Sequence, residues 1–134
     1  MMQILQPPGW ARPKGFANGI AVRGGTTVYI AGQIGWIGEA RFAEKSFAGQ
    51  FKQALENIVA VLAEAGGRPE HLVRLTWYVL DKQEYFGSLR EVGAAWRELI
   101  GRHYPAMAVV QVTGLVEPEA RLEIEATAVI PDAP

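Results

Sequence analysis

The sequence predicts an α+β fold, one mixed sheet with two helices packed across one of its faces, and three observations predict it. β-branched and aromatic runs stand near both ends of the chain. Two segments between them repeat apolar residues every three or four positions. One further strand-like run separates those helical segments. The 134 residues fit a single domain, spanning residues 1–134, with one core.

Residues 7–18, PPGWARPKGFAN, hold three prolines and two glycines, which excludes regular structure and predicts an extended, exposed arm of the kind that often packs on a neighbour. Ile20-Ala21-Val22 and Val28 to Ala31 flank Gly24-Gly25, so the two runs are expected to pair as an antiparallel hairpin. From Phe47 the apolar positions Phe51, Ala54, Leu55, Ile58, Leu62 and Ala65 follow at helical spacing, with Ser46 as N-cap and Gly66-Gly67 as the stop. Leu72 to Leu80, LVRLTWYVL, reads as a strand buried on at least one face.

A second helix is expected next. Asp81 and Glu84 are spaced like a capping box, Tyr85, Leu89, Val92, Trp96 and Leu99 form the stripe, and Gly101 ends it. Two strands close the chain, Met107 to Thr113 and Arg121 to Ile130, separated by the turn-like Gly114 to Glu119 with its Pro118. The order is ββαβαββ. The chain is too short for a second helical layer, so the sheet face without helices is a candidate subunit interface.

Composition narrows the function. Lys and Arg number 13 against 14 Asp and Glu, leaving no net field to attract nucleic acid or an anionic membrane. Cysteine is absent, which removes thiolate nucleophiles and sulfur-ligated metals and fits a reducing compartment. The opening MMQILQPPGW lacks a signal-peptide pattern, and no apolar run approaches the roughly 20 residues of a membrane span, so a soluble, cytoplasmic protein is expected.

Motifs for serine-nucleophile, phosphate-loop, dinucleotide and zinc-protease chemistry are missing, and His71 and His103 are read as surface or loop anchors. The final strand is more informative. Strict alternation sends Leu122, Ile124 and Ala126 to one face and Glu123, Glu125 and Thr127 to the other, so two carboxylates share a face. This describes either a solvated strand or a carboxylate that orients a water or accepts a proton. Gly32-Gln33-Ile34-Gly35-Trp36 combines close backbone approach with amide and aromatic contacts, as a ligand site or as a plain strand-end loop. Trp10, Trp77 and Trp96 read as core or interface mass.

The Ala31-Gly32-Gln33-Ile34 segment, the run QFKQALENIVAVLAEAG from Gln50, the LVRLTWYVLD strand, the Tyr104-Pro105-Ala106 step and the closing LEIEATAV together resemble the RidA/YjgF family over nearly the whole chain. That resemblance implies a chorismate-mutase-like fold and a homotrimer with clefts between subunits. It also implies hydrolysis of reactive 2-imino or enamine acids without metal or cofactor. Family members hold the substrate carboxylate with an arginine two residues after the proline and position water with a glutamate in the last strand.

Carried over residue by residue, Glu123 is the candidate catalytic group, and Gly32 and Gln33 stand in the family's GQ turn. The arginine position holds Met107, Phe16 replaces a tyrosine, Ala31 a serine and Arg90 an asparagine. The candidate ligand-binding set is therefore Gly32, Gln33, Trp36, Phe16, Met107 and Arg90, with Arg90 or Arg74 available to replace the missing cation. The expected function is a cofactor-free hydrolase or deaminase for an imine- or enamine-like small metabolite other than the usual 2-imino acids. The alternatives are a non-catalytic ligand-binding trimer and an endoribonuclease or translation inhibitor, the last disfavoured by the charge balance.

Overall fold

Over residues 2–133, which the computed structural model describes, the chain runs β1 (Met2–Leu5), β2 (Gly19–Val22), β3 (Thr26–Gln33), β4 (Trp36–Ile37), β5 (Arg41–Phe42), α1 (Phe47–Glu64), a 3-10 turn (Pro69–His71), β6 (Leu72–Val79), α2 (Lys82–Gly87), α3 (Leu89–Leu99), β7 (Ala106–Gln111) and β8 (Leu122–Ile130).

The long helix matches its sequence signals. Ser46 Oγ accepts from the Gly49 N–H at 3.0 Å. Gly66, at φ +81°, turns the chain so that the Gly67 N–H reaches the Leu62 carbonyl at 3.0 Å. The expected second helix is two. Asp81 caps the first through the Gln83 N–H at 2.9 Å, but the Gly87-Ser88 pair, a weak helix former, breaks the run at Ser88. Nor does the capping box close, because the Glu84 carboxylate accepts from Arg121 Nη2 at 2.8 Å instead.

The central sheet has the order β3-β8-β6-β7, with β6 and β7 parallel and the other two pairings antiparallel. Helices α2 and α3 form the crossover that joins the parallel pair. The expected pairing of residues 20–31 as one hairpin is overturned. β2 pairs with β1, a strand the sequence reading did not anticipate, and β3 pairs with β8. Gly24-Gly25 bends the chain without folding it back, since Gly25 packs so closely on the Ile130 carbonyl that a Cβ there would collide. The apolar face of β8 needs a partner on each side, and β3 supplies one by long-range pairing that outweighs the local turn. The residue 7–18 arm leads into a parallel bridge between Ala17 and Ala106, so it is tied to the chain's own β7.

Both long helices lie on one sheet face, and α2 joins them. Phe51, Leu55, Ile58 and Leu62 of α1 and Val92 and Trp96 of α3 share one core with Leu75, Trp77, Val79, Leu122 and Ile124. The opposite face bears Tyr29, Arg74, Thr76, Tyr78, Glu123, Glu125 and Thr127 and carries no helix. Among the described residues no helix is long and apolar enough to cross a membrane.

Candidate functional site

A β-bulge shapes the glutamate side of the site. Between Ile30↔Ala126 and Gln33↔Ile124, three steps along β3 oppose two along β8, so Ala31-Gly32 carries the extra residue. The bulge sets Gly32 against Glu123 so closely that a Cβ on Gly32 would collide with the carboxylate. Only glycine leaves that space. The following turn is held from α1: Asn57 Nδ2 donates to the Ile34 carbonyl at 3.1 Å and to the Trp36 carbonyl at 2.8 Å.

The two carboxylates of β8 differ in their surroundings. Tyr78, across from Glu123 on β6, sends its hydroxyl to Glu125 Oε2 at 2.9 Å. That hydrogen bond, with smaller contributions from burial and from the charges of Glu125 and Glu123, raises the Tyr78 pKa above its ordinary value of 10.0, and Arg74 partly opposes the shift. Glu123 accepts from no donor among the described residues and is half-buried. It is the carboxylate of the pair whose oxygens have no hydrogen-bond partner among the described residues. A cavity of about 490 Å³ on the same face is lined by Tyr29, Ala31, Arg74, Thr76, Glu125 and Thr127.

Met107 lies elsewhere. Its register partner is Leu75, which in turn opposes Ala126, so Met107 points to the helix side of the sheet and Glu123 to the open side. Within one chain the two residues do not face a common space. Met107 instead lines an aromatic pocket of about 400 Å³ between β7 and the α2–α3 pair, with Phe16, Trp77, Tyr85, Trp96 and Tyr104.

The structure thus brings Gly32 and Glu123 together, and separately Phe16 and Met107. Gln33 turns its amide onto the Ala31 carbonyl at 3.1 Å. Trp36 packs on Phe42 in the β4–β5 hairpin, at a centroid distance of 6.5 Å, and lines neither cavity. Arg90 is exposed on α3 beside the pocket-lining Leu89. Arg74 borders the open-face cavity and also a smaller one shared with Phe16 and Met107. Tyr78 and Tyr85 were not singled out as site residues from sequence, although alternation along LTWYVL already placed Tyr78 on the face opposite Trp77. Both histidines anchor loops: His71 Nδ1 meets the Arg68 N–H at 2.9 Å, and His103 Nε2 lies 2.6 Å from the Leu72 carbonyl. Trp77 and Trp96 are core residues, whereas Trp10 is exposed.

A small α+β domain with helices on one sheet face, a glycine bulge against the Glu123 carboxylate and an aromatic pocket at the sheet edge defines the structural class of the chain. Sequence and structure comparisons identify the class. The model of the Endoribonuclease L-PSP family matches residues 12–130, and the chain belongs to this family, the RidA/YjgF family of the sequence resemblance. It is 32% identical to a RutC family protein of Pyrococcus abyssi over 109 residues, 81% of this chain and 82% of the relative. It is also 32% identical over 104 residues to the human 2-iminobutanoate/2-iminopropanoate deaminase, 77% of this chain and 72% of that protein. The crystal structure of YyfB, a Rid-family protein of unknown function from Yersinia pestis, superposes with a TM-score of 0.85 at 28% identity, covering 96% of this chain and 98% of that one.

Proposed function

We propose that this protein is a cofactor-free hydrolase that deaminates an imine- or enamine-like metabolite in a cleft between copies of the chain, with Glu123 as the base that prepares water. The observation that carries the reading is the fit of the Glu123 carboxylate against Gly32, with Tyr78 occupied by Glu125. A carboxylate that accepts from no protein donor keeps its lone pairs for a water.

The chemistry asks little of the protein. Glu123 takes a proton from the water as its oxygen adds to the carbon of the protonated imine, and the C=N double bond becomes a C–N single bond. The carbinolamine then collapses: protonated Glu123 returns its proton to the nitrogen, the C–N bond breaks as the hydroxyl oxygen forms the carbonyl and releases its proton to solvent, and ammonia leaves. An enamine first takes a proton on carbon to become the imine. No electron is lost or gained overall, and positioning of water and substrate supplies the rate. Since Glu123 and Met107 face opposite sides of one sheet, a cleft that uses both takes Glu123 from one copy and the aromatic pocket from another. Homotrimer formation is part of the proposal.

Ammonia release from a panel of enzymatically generated imines and conjugated enamines tests the reading. Turnover that falls at least about 100-fold in Glu123→Gln is expected; unchanged turnover in that variant refutes it. A second reading, a ligand-binding trimer without turnover, is favoured by the apolar surroundings of Met107, where the thioether offers a substrate carboxylate no donor. Met107→Arg separates the two: gain of 2-iminopropanoate hydrolysis shows that the catalytic side is competent, and no gain supports the binding-only reading.

A further inference from the structure

The aromatic pocket behind Met107 has a shape and a charge that restrict its ligand. Trp77, Trp96 and Tyr104 form a ladder of nearly parallel rings, with interplanar angles of 24° and 12° and centroid distances of 6.4 and 6.1 Å. All three line the pocket, and Met107 and Phe16 close it with apolar surface. Such walls favour a flat, polarisable body that continues the offset stacking. The volume, about 400 Å³, is that of a small-metabolite site.

The rim is cationic. Lys14 lines the mouth, and a Cβ on Gly93 would stand 3.3 Å from Arg97 Nη1, so that guanidinium lies over the helix edge of the pocket. Arg90, three residues before Gly93, shares that helix face. Among the described residues no acidic side chain lines the pocket. Of the acids on α2 and α3, Glu84 pairs with Arg121 and Glu98 with Lys52, and Glu91 stands next to Arg90 outside the lining. Among the described residues, Lys14, Arg90 and Arg97 have no ion-pair partner. One donor is also unused: Trp77 is 5% exposed, and its Nε1 is the one buried side-chain nitrogen or oxygen among the described residues without a hydrogen-bond partner.

We infer that the pocket binds a planar, conjugated organic anion, its flat body stacked on the Trp77–Trp96–Tyr104 ladder and its charged group at the Lys14, Arg90 and Arg97 rim. This deepens the proposed function and rests on its premise that the cleft takes a small metabolite. The substrate class becomes a conjugated imino or enamino carboxylate, in place of a short aliphatic imino acid whose carboxylate needs a cation at position 107. The anion binds one body length away from Met107, at the pocket mouth.

Isothermal titration calorimetry on the intact protein with trans-cinnamate, trans-cinnamamide and 2-oxobutanoate tests this. Cinnamate should bind saturably at one site per chain, at least about 10-fold tighter than the amide or the short acid. Gly93→Leu should abolish it. Leucine is the better helix former, and a Cβ at this position meets only the flexible end of Arg97, so the backbone accepts a side chain whose outer atoms fill the pocket. An Arg90→Gln, Arg97→Gln double variant should weaken cinnamate about 10-fold and leave cinnamamide unchanged. Absence of saturable cinnamate binding, equal affinity for the amide, or undiminished binding in Gly93→Leu each overturns the inference. Ammonia release is read separately. Cinnamate binding absent with Glu123-dependent turnover intact overturns this inference alone, whereas binding intact with turnover independent of Glu123 overturns the hydrolase reading alone.

Discussion

Replacing Gly32 with alanine isolates the contact on which the proposed chemistry depends. The added methyl would stand 2.8 Å from Glu123 Cδ and 2.9 Å from its Cγ, closer than nonbonded carbons approach, and would strike the carboxylate oxygen harder still. Gly32 does not need a left-handed φ, because its dihedral lies outside the region where side chains are strained. The backbone therefore accepts alanine, and the loss of unfolded-state freedom favours the fold by about 0.4–1 kcal/mol. Against this, Glu123 must swing to another rotamer at a cost of about 0.5–1.5 kcal/mol. The two nearly cancel, so urea denaturation should show a stability within about 1 kcal/mol of the parent. Turnover should not survive so well, because moving a catalytic oxygen by about 1 Å costs on the order of 100-fold. Ammonia release at saturating substrate is the assay. Turnover within about twofold of the parent, at unchanged stability, would refute the pairing of Gly32 with Glu123 as the catalytic contact.

Gln50, 1% exposed on α1, donates to the Glu44 and Glu119 carbonyls at 3.1 and 3.0 Å and accepts from the Arg121 N–H at 2.7 Å, pinning the entrance to β8. Gln50→Met keeps the volume but strands those groups, so unfolding should become easier by about 2–3 kcal/mol. The melting temperature should fall by roughly 10 °C at fixed protein concentration; a drop under about 2 °C would contradict the role. Tyr78 holds its proton more tightly folded than unfolded, chiefly through the bond to Glu125. Its contribution is therefore complete below its ordinary pKa of 10.0 and is lost as pH rises through the raised folded value. Tyr78→Phe should flatten the alkaline decline seen in denaturant titrations, and an identical decline in parent and variant would exclude Tyr78 as its source. Ser46→Ala removes the bond to the Gly49 N–H and should lower stability by about 1 kcal/mol, checked by the shift in urea midpoint.

Much of this molecule is local and so was legible in the sequence. The bounds of α1 follow from Ser46 and the Gly66-Gly67 pair because caps act within one turn. The faces of β8 follow from strict alternation, which fixes Glu123 opposite Ile124 whatever the neighbours are. Gly32 read as room for a ligand or as a plain strand-end loop, and the group that occupies that room is the Glu123 side chain. The family was legible as well, in the order and spacing of segments that are individually unspecific, and the comparisons agree with it.

Tertiary structure decided the rest, for one physical reason: partnership depends on apolar surface that distant segments bury together. Alternation gives two faces to each strand but not the phase between strands, so only the register Leu75↔Met107 shows that Met107 turns away from Glu123. Gly24-Gly25 carries the same turn chemistry whether β3 returns to β2 or travels to β8, and the need of β8 for a second neighbour chose the latter. The stripe through Tyr85, Leu89 and Val92 reads as core, yet Leu89 is 49% exposed at the pocket mouth, because the break at Ser88 leaves an aromatic slot between the helices and β7. The sequence by itself determined α1, the two faces of β8 and the family. Which side chains share a space was settled only when the strands found their partners.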